Sequence, residues 1–118
     1  MGLINKITAK TFEAEVLQSK VPVLVDLYAD WCGPCRMMAP LLEKLAAELD
    51  GRVKIVKIDT DAQPDLAAEF QVSGIPMLVM MNRGEAVAES IGVVSRQRIM
   101  QMVDVATATP APQRARRA

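Results

Sequence analysis

Residues 21–29, Val-Pro-Val-Leu-Val-Asp-Leu-Tyr-Ala, form a β-branched and almost continuously apolar run. A strand with one wet face alternates polar and apolar side chains, whereas a strand covered on both faces does not. The run therefore predicts a central strand buried between layers, and the chain around it is expected to be an α/β domain.

The flanking segments supply those layers. Residues 3–8, with Leu3, Ile4 and Ile7, read as a short opening strand. Thr11 is placed to cap a helix carrying Phe12, Val16 and Leu17 on one side. Met38, Leu41, Leu42, Leu45 and Leu49 recur at helical spacing until Asp50-Gly51 stops them. Pro40 is expected to kink that helix. Residues 53–58 form the next strand, and Gln63-Pro64 opens a short helix through Phe70. Residues 77–81 form a buried strand, and Asn82-Arg83-Gly84 turns the chain into a strand at 86–91. Ser95 caps a last helix with the stripe Ile99, Met102, Val103 and Ala106. The order βαβαβαββα predicts one domain over residues 1–108, with a mixed sheet and helices on both faces.

Residues 109–118 (TPAPQRARRA) have nothing apolar enough to pack and are expected to be a disordered tail. Arg114, Arg116 and Arg117 are the tail's only charges, so residues 1–108 carry 11 basic against 14 acidic residues. Three arginines are fewer than a nucleic-acid or anionic-lipid tether usually needs. Over the whole chain 14 basic residues balance 14 acidic ones, so charge predicts neither nucleic-acid nor membrane binding.

Side-chain inventory narrows the chemistry further. The only aromatics are Phe12, Tyr28, Trp31 and Phe70, which argues for an aliphatic core and against a base-stacking platform. The absence of histidine excludes Ser-His and Cys-His hydrolase designs and the common zinc sites within one chain. Two cysteines cannot saturate a tetrahedral zinc, although a dimer could supply four. Met37, Met38, Met77, Met80, Met81, Met100 and Met102 fall in apolar stretches and read as core fillers rather than copper(I) ligands. No metal site is expected. The first twenty residues lack the apolar stretch of about 7–15 residues that a signal peptide needs. No run approaches the roughly 18 apolar residues of a membrane span. A cytoplasmic chain is expected, whose thiols stay reduced unless they are catalytic.

Trp31-Cys32-Gly33-Pro34-Cys35 lies between the buried strand and the long helix. The free N–H groups and the positive dipole end of a helix favour a thiolate on Cys32. Cys32 is expected to be exposed, and Cys35, one turn inside, to face inward and stay protonated, so that Cys32 attacks and Cys35 resolves. A Cys-x-x-C pair can also be half a zinc site or an accident, but beside a βαβ pattern the redox reading is favoured. Asp26 sits among Val23, Leu24, Val25, Leu27 and Tyr28, where an ionised carboxylate lacks water. Burial raises the pKa of such an acid and makes it a candidate proton acceptor. The alternative is an acid paired with a lysine for packing specificity, and Lys57 is the candidate partner under either reading. The Ile75-Pro76 pair opens an apolar strand, where a proline belongs at an edge, a turn or a cis bond.

These residues together resemble the thioredoxin family over about residues 3–108. Trp31–Cys35 is similar to its active-site motif, with Gly33 and Pro34 between the cysteines. Asp26, Lys57, Ile75-Pro76, Gly84 and Gly92 fall at the family's spacing. The resemblance implies the thioredoxin fold and a protein disulfide reductase cycling between a Cys32/Cys35 dithiol and disulfide. It implies a cis Pro76 facing the disulfide, and a docking groove of Trp31, Gly74, Ile75, Pro76 and Gly92. It also implies disulfide-containing protein substrates, regeneration by thioredoxin reductase, no separate cofactor and a monomer. Tyr28 and Leu27 replace the family's usual tryptophan and phenylalanine. Met77 stands where threonine is common, and Ser73 precedes Gly74. The reading that competes with a general reductant is a specialised one, its selectivity set by Tyr28, Ser73 and Met77. A binding scaffold with incidental thiols is the third.

Overall fold

The computed structural model describes residues 3–108, so the 109–118 tail lies outside the described residues. Five strands form one sheet: β1 (Asn5–Lys6), β2 (Val23–Tyr28), β3 (Lys54–Asp59), β4 (Met77–Asn82) and β5 (Glu85–Ile91). Their spatial order is β1-β3-β2-β4-β5. The β1–β3 and β2–β3 pairs are parallel, and the β2–β4 and β4–β5 pairs are antiparallel. The sheet is therefore mixed, as expected, with β2 at its centre and buried throughout its apolar length.

Helices α1 (Gly33–Glu48), α2 (Pro64–Glu69) and α3 (Arg96–Ala108) complete the domain, together with a π-helical turn at Glu13–Leu17. Because neighbouring side chains of a strand point to opposite faces, β2, β3 and β4 each feed two cores. On one face Leu24, Ile55, Leu78 and Met80 meet Met38, Leu42 and Leu45 of α1 and Ile99, Met102 and Val103 of α3. On the other, Val23, Val25, Leu27, Val56, Ile58 and Val79 meet Val16 and Leu66, with Phe12 and Phe70 packed against them. Met38, Met77, Met80, Met81 and Met102 fill space in these aromatic-poor cores, while Met37 stands 71% exposed on the surface.

Local chemistry explains the boundaries. Gly51, with φ of 88°, follows α1 in a conformation that side chains resist. Arg83 and Gly84 both have positive φ, which is what a two-residue hairpin between β4 and β5 requires. The Ser95 hydroxyl accepts from the Arg98 N–H and caps α3. The helical assignment of α1 runs unbroken across Pro40.

Two expectations at the start of the chain need correction. The opening strand is two residues long rather than six: the Ile7 N–H still reaches the Lys57 carbonyl, and the Thr8 N–H then bonds the Thr11 hydroxyl in a turn that follows the strand. That contact also takes Thr11 away from capping duty, and the following turn has no side-chain cap. The turn closes from the Gln18 N–H to the Glu13 carbonyl, five residues back, so Leu17 rotates out to 39% exposure while Val16 stays buried.

Candidate active site

The ends of the parallel strands β2 and β3 and the start of α1 meet at one edge of the sheet. Cys32 is the N-cap of α1, with extended backbone (φ −86°, ψ 110°). Its Sγ accepts the Cys35 N–H at 3.2 Å, in the position where a serine or aspartate oxygen commonly caps a helix. Pro34 occupies the first turn, where no N–H is needed. Gly33 is helical, and a side chain there would meet only the Arg36 guanidinium, 3.9 Å away. Cys32 and Cys35 are joined as a disulfide, their Cα atoms 5.2 Å apart.

An exposed Cys32 beside a shielded Cys35 is not what the structure contains. The two are 4% and 6% exposed, so access does not distinguish them. The reason lies in the chain segment before β4. Ile75 packs against Ala29, Cys32 and Cys35, and its carbonyl oxygen stands 3.9 Å from Cys32 Sγ. The distinction between the sulfurs is one of surroundings. Cys32 has a helix amide and a carbonyl beside it, whereas Cys35 lines a cavity of about 200 Å³.

That cavity brings together Asp26, Tyr28, Cys35 and Lys57, with Ala29, Asp30, Arg36 and Ala39 completing it. Asp26 is 8% exposed, and its Oδ1 has no hydrogen-bond partner. Burial pushes its carboxyl up to about 7, against the opposing pull of the Lys57 ammonium. Lys57 lies directly across the β2–β3 ladder from Asp26. It is a partner through its field rather than through contact, because the ion pairs among the described residues are Lys54–Glu15 and Arg96–Glu48. The Lys57 Nζ lies instead 5.6 Å from the Tyr28 ring centroid.

Of the residues expected to form a groove, Ile75 lies against the cysteines, and Gly92 is tied to the segment that follows it. The Ile75–Pro76 peptide is cis, and the Pro76 carbonyl accepts the Gly92 N–H at 2.7 Å. Gly92 has φ of 92°, and a Cβ at Gly74 would come within 3.1 Å of Ile91 Cγ2. Both positions therefore favour glycine for different reasons, one conformational and one steric. Ile75, the residue before the cis bond, packs on the cysteines, and Pro76 itself is buried. Trp31 is 68% exposed and donates its indole N–H to Asp61 Oδ2 at 2.8 Å.

Three residues were not singled out by sequence. Asp61 anchors Trp31, and its position just beyond the end of β3 was the available signal, since parallel strands end on the same side. Ile91 and Val93 flank Gly92 and expose half their surfaces. Of the residues at which the chain departs from the thioredoxin pattern, Met77 is buried in the second core, whereas Ser73 is exposed.

Among the described residues no group of three or more His, Cys, Asp or Glu side chains is placed to hold a metal ion. None of the described helices is long and apolar enough to cross a membrane.

Comparison with known proteins bears on the same residues. A family model described as thioredoxin matches residues 3–105. The chain is 39% identical over 104 residues to thioredoxin 1 of Nostoc sp., covering 88% of this chain and 97% of that protein. It is 42% identical over 97 residues to thioredoxin C-2 of Corynebacterium nephridii, covering 82% and 90%. It is also 39% identical over 100 residues to a bifunctional thioredoxin reductase/thioredoxin of Mycobacterium leprae, covering 85% of this chain and 22% of that longer protein.

Proposed function

The chain belongs to the thioredoxin family and is a thiol–disulfide oxidoreductase, and from that premise we propose that it is a general reductant of protein disulfides in the cytoplasm. The observation that carries the reading is the contrast between the two sulfurs. One caps a helix and the other shares a cavity with a buried acid.

In the reduced protein, Cys32 carries the thiolate, stabilised by the Cys35 N–H and the dipole of α1. It attacks one sulfur of a substrate disulfide, forming a mixed disulfide and releasing the other substrate sulfur as a thiolate. Cys35 then loses its proton to the Asp26 carboxylate and attacks the Cys32 sulfur. The mixed disulfide breaks, the second substrate thiolate leaves, and Cys32 and Cys35 end as a disulfide. Two electrons pass to the substrate, and the proton held by Asp26 goes to solvent or to the departing thiolate. The sulfur pair carries the electrons without a separate cofactor, and Gly33 and Pro34 set its spacing.

Trp31, Gly74, Ile75, Pro76 and Gly92 form the surface that receives the substrate chain, extended by Ile91 and Val93. A relative fused to thioredoxin reductase supports that enzyme as the source of electrons. The domain acts as a monomer.

The test is reduction of insulin disulfides, followed by turbidity, with NADPH and thioredoxin reductase as the electron supply. Multiple turnovers per chain are expected, with a potential for the cysteine pair nearer to about −270 mV than to about −120 mV. A chain that is reduced yet fails to turn over insulin would refute the general-reductant reading.

A further inference from the structure

Two groups compete for the Lys57 ammonium. One is the Asp26 carboxyl, directly across the β2–β3 ladder. The other is the Tyr28 ring, whose centroid lies 5.6 Å from Nζ, within cation–π range. Tyr28 is two residues beyond Asp26 on the same strand, so both side chains emerge on one face. In the structure Lys57 sits by the ring, and Asp26 Oδ1 stays without a hydrogen-bond partner. An ammonium closed on that carboxylate would hold it ionised, because a buried site screens charge poorly.

The other neighbours do not account for this placement. From α1, Cys35, Arg36 and Ala39 face the cavity, and from the segment after β2, Asp30 does. The Arg36 guanidinium is committed to the Asp30 carbonyl at 2.6 Å. From β4, the residue opposite Asp26 is apolar Leu78. Lys6 of β1 and Asp59 of β3 act on the Tyr28 hydroxyl, at the outer end of the ring.

We propose that Tyr28 is a positioning residue: its ring face holds the Lys57 ammonium off the Asp26 carboxyl and so governs how readily that carboxyl releases its proton. The proposal rests on Asp26 as the proton acceptor and names what tunes it. An aliphatic side chain at this position offers the ammonium no negative π face.

The test follows the Asp26 side-chain carboxyl by carbon-13 NMR through a pH titration of the oxidised protein. Tyr28→Leu should lower its midpoint by about one pH unit as Lys57 moves onto the carboxylate. Tyr28→Met, a second ring-free variant, should do the same. Tyr28→Phe, which keeps the π face, should stay within a few tenths of the parent. Lys57→Met should raise the midpoint, and adding Tyr28→Leu to it should then change nothing further. An equal fall with and without Lys57 would mean that the ring only excludes water, and would overturn the proposal. So would an unchanged midpoint in Tyr28→Leu and Tyr28→Met. These titrations read the carboxyl directly, whereas the catalytic role of Asp26 stands or falls separately on the resolution rate of Asp26→Asn.

Discussion

The backbone N–H of Cys35 points at the sulfur of Cys32, 3.2 Å away, so the first turn of α1 is built around the atom that must bear negative charge. The same turn carries Cys35 into the cavity that holds Asp26. A single helix start thus gives two chemically similar side chains different surroundings.

The buried acid makes stability depend on pH with a defined sign. Its folded pKa, about 7, lies above the ordinary value of 3.8, so the folded chain holds this proton more tightly than the unfolded one. The resulting stability is fully present below about pH 4 and is lost as pH rises through 7. A difference of that size is worth about 4 kcal/mol. Asp26→Asn removes it but buries an unpaired amide, at about 1–3 kcal/mol. The variant should therefore be about 2 kcal/mol more stable than the parent at pH 8 and less stable at pH 4. Denaturant midpoints of the oxidised proteins at the two pH values check this, and a pH-independent difference would contradict it.

Asp61 should matter to protein substrates more than to small ones. Its bond to the Trp31 indole is exposed and worth about 1 kcal/mol. Asp61→Ala should raise KM for insulin by roughly two- to five-fold, with melting nearly unchanged. The rate with a small aromatic disulfide should stay within about a factor of two, and Asp61→Asn, which keeps an acceptor, should restore the parent KM. Equal losses on both substrates would remove Trp31 from the docking surface.

The glycines near the site should separate cleanly. Gly92→Ala places a side chain at φ of 92° and should cost about 1–3 kcal/mol in thermal or chemical unfolding. Gly33→Ala enters open space on a helix and should stay within about 0.5 kcal/mol of the parent. Comparable losses would mean that φ is not what sets the requirement at Gly92.

The sheet and its helices were legible because apolar runs and punctuating Gly and Pro residues act over short stretches of chain. Val23–Tyr28, the hairpin at Arg83-Gly84 and the α3 stripe are cases of this kind. The cavity was half legible, since alternation puts Asp26 and Tyr28 on one face, while the choice of Lys57 between them depends on three side chains at once. The exposure of Cys32 was misread because its cover, Ile75, lies 43 residues along the chain. The Thr8–Thr11 turn was misread because a hydroxyl that can cap a helix can equally bond backward to the residue three before it.

The central claim is the division of labour between Cys32 and Cys35, and partner trapping tests it most directly. Cys35→Ser should accumulate a covalent adduct with a disulfide-containing protein, resolved on a non-reducing gel and released by dithiothreitol, because nothing remains to break the mixed disulfide. Cys32→Ser should form none. Adduct formation by Cys32→Ser and not by Cys35→Ser would reverse the roles and contradict the account.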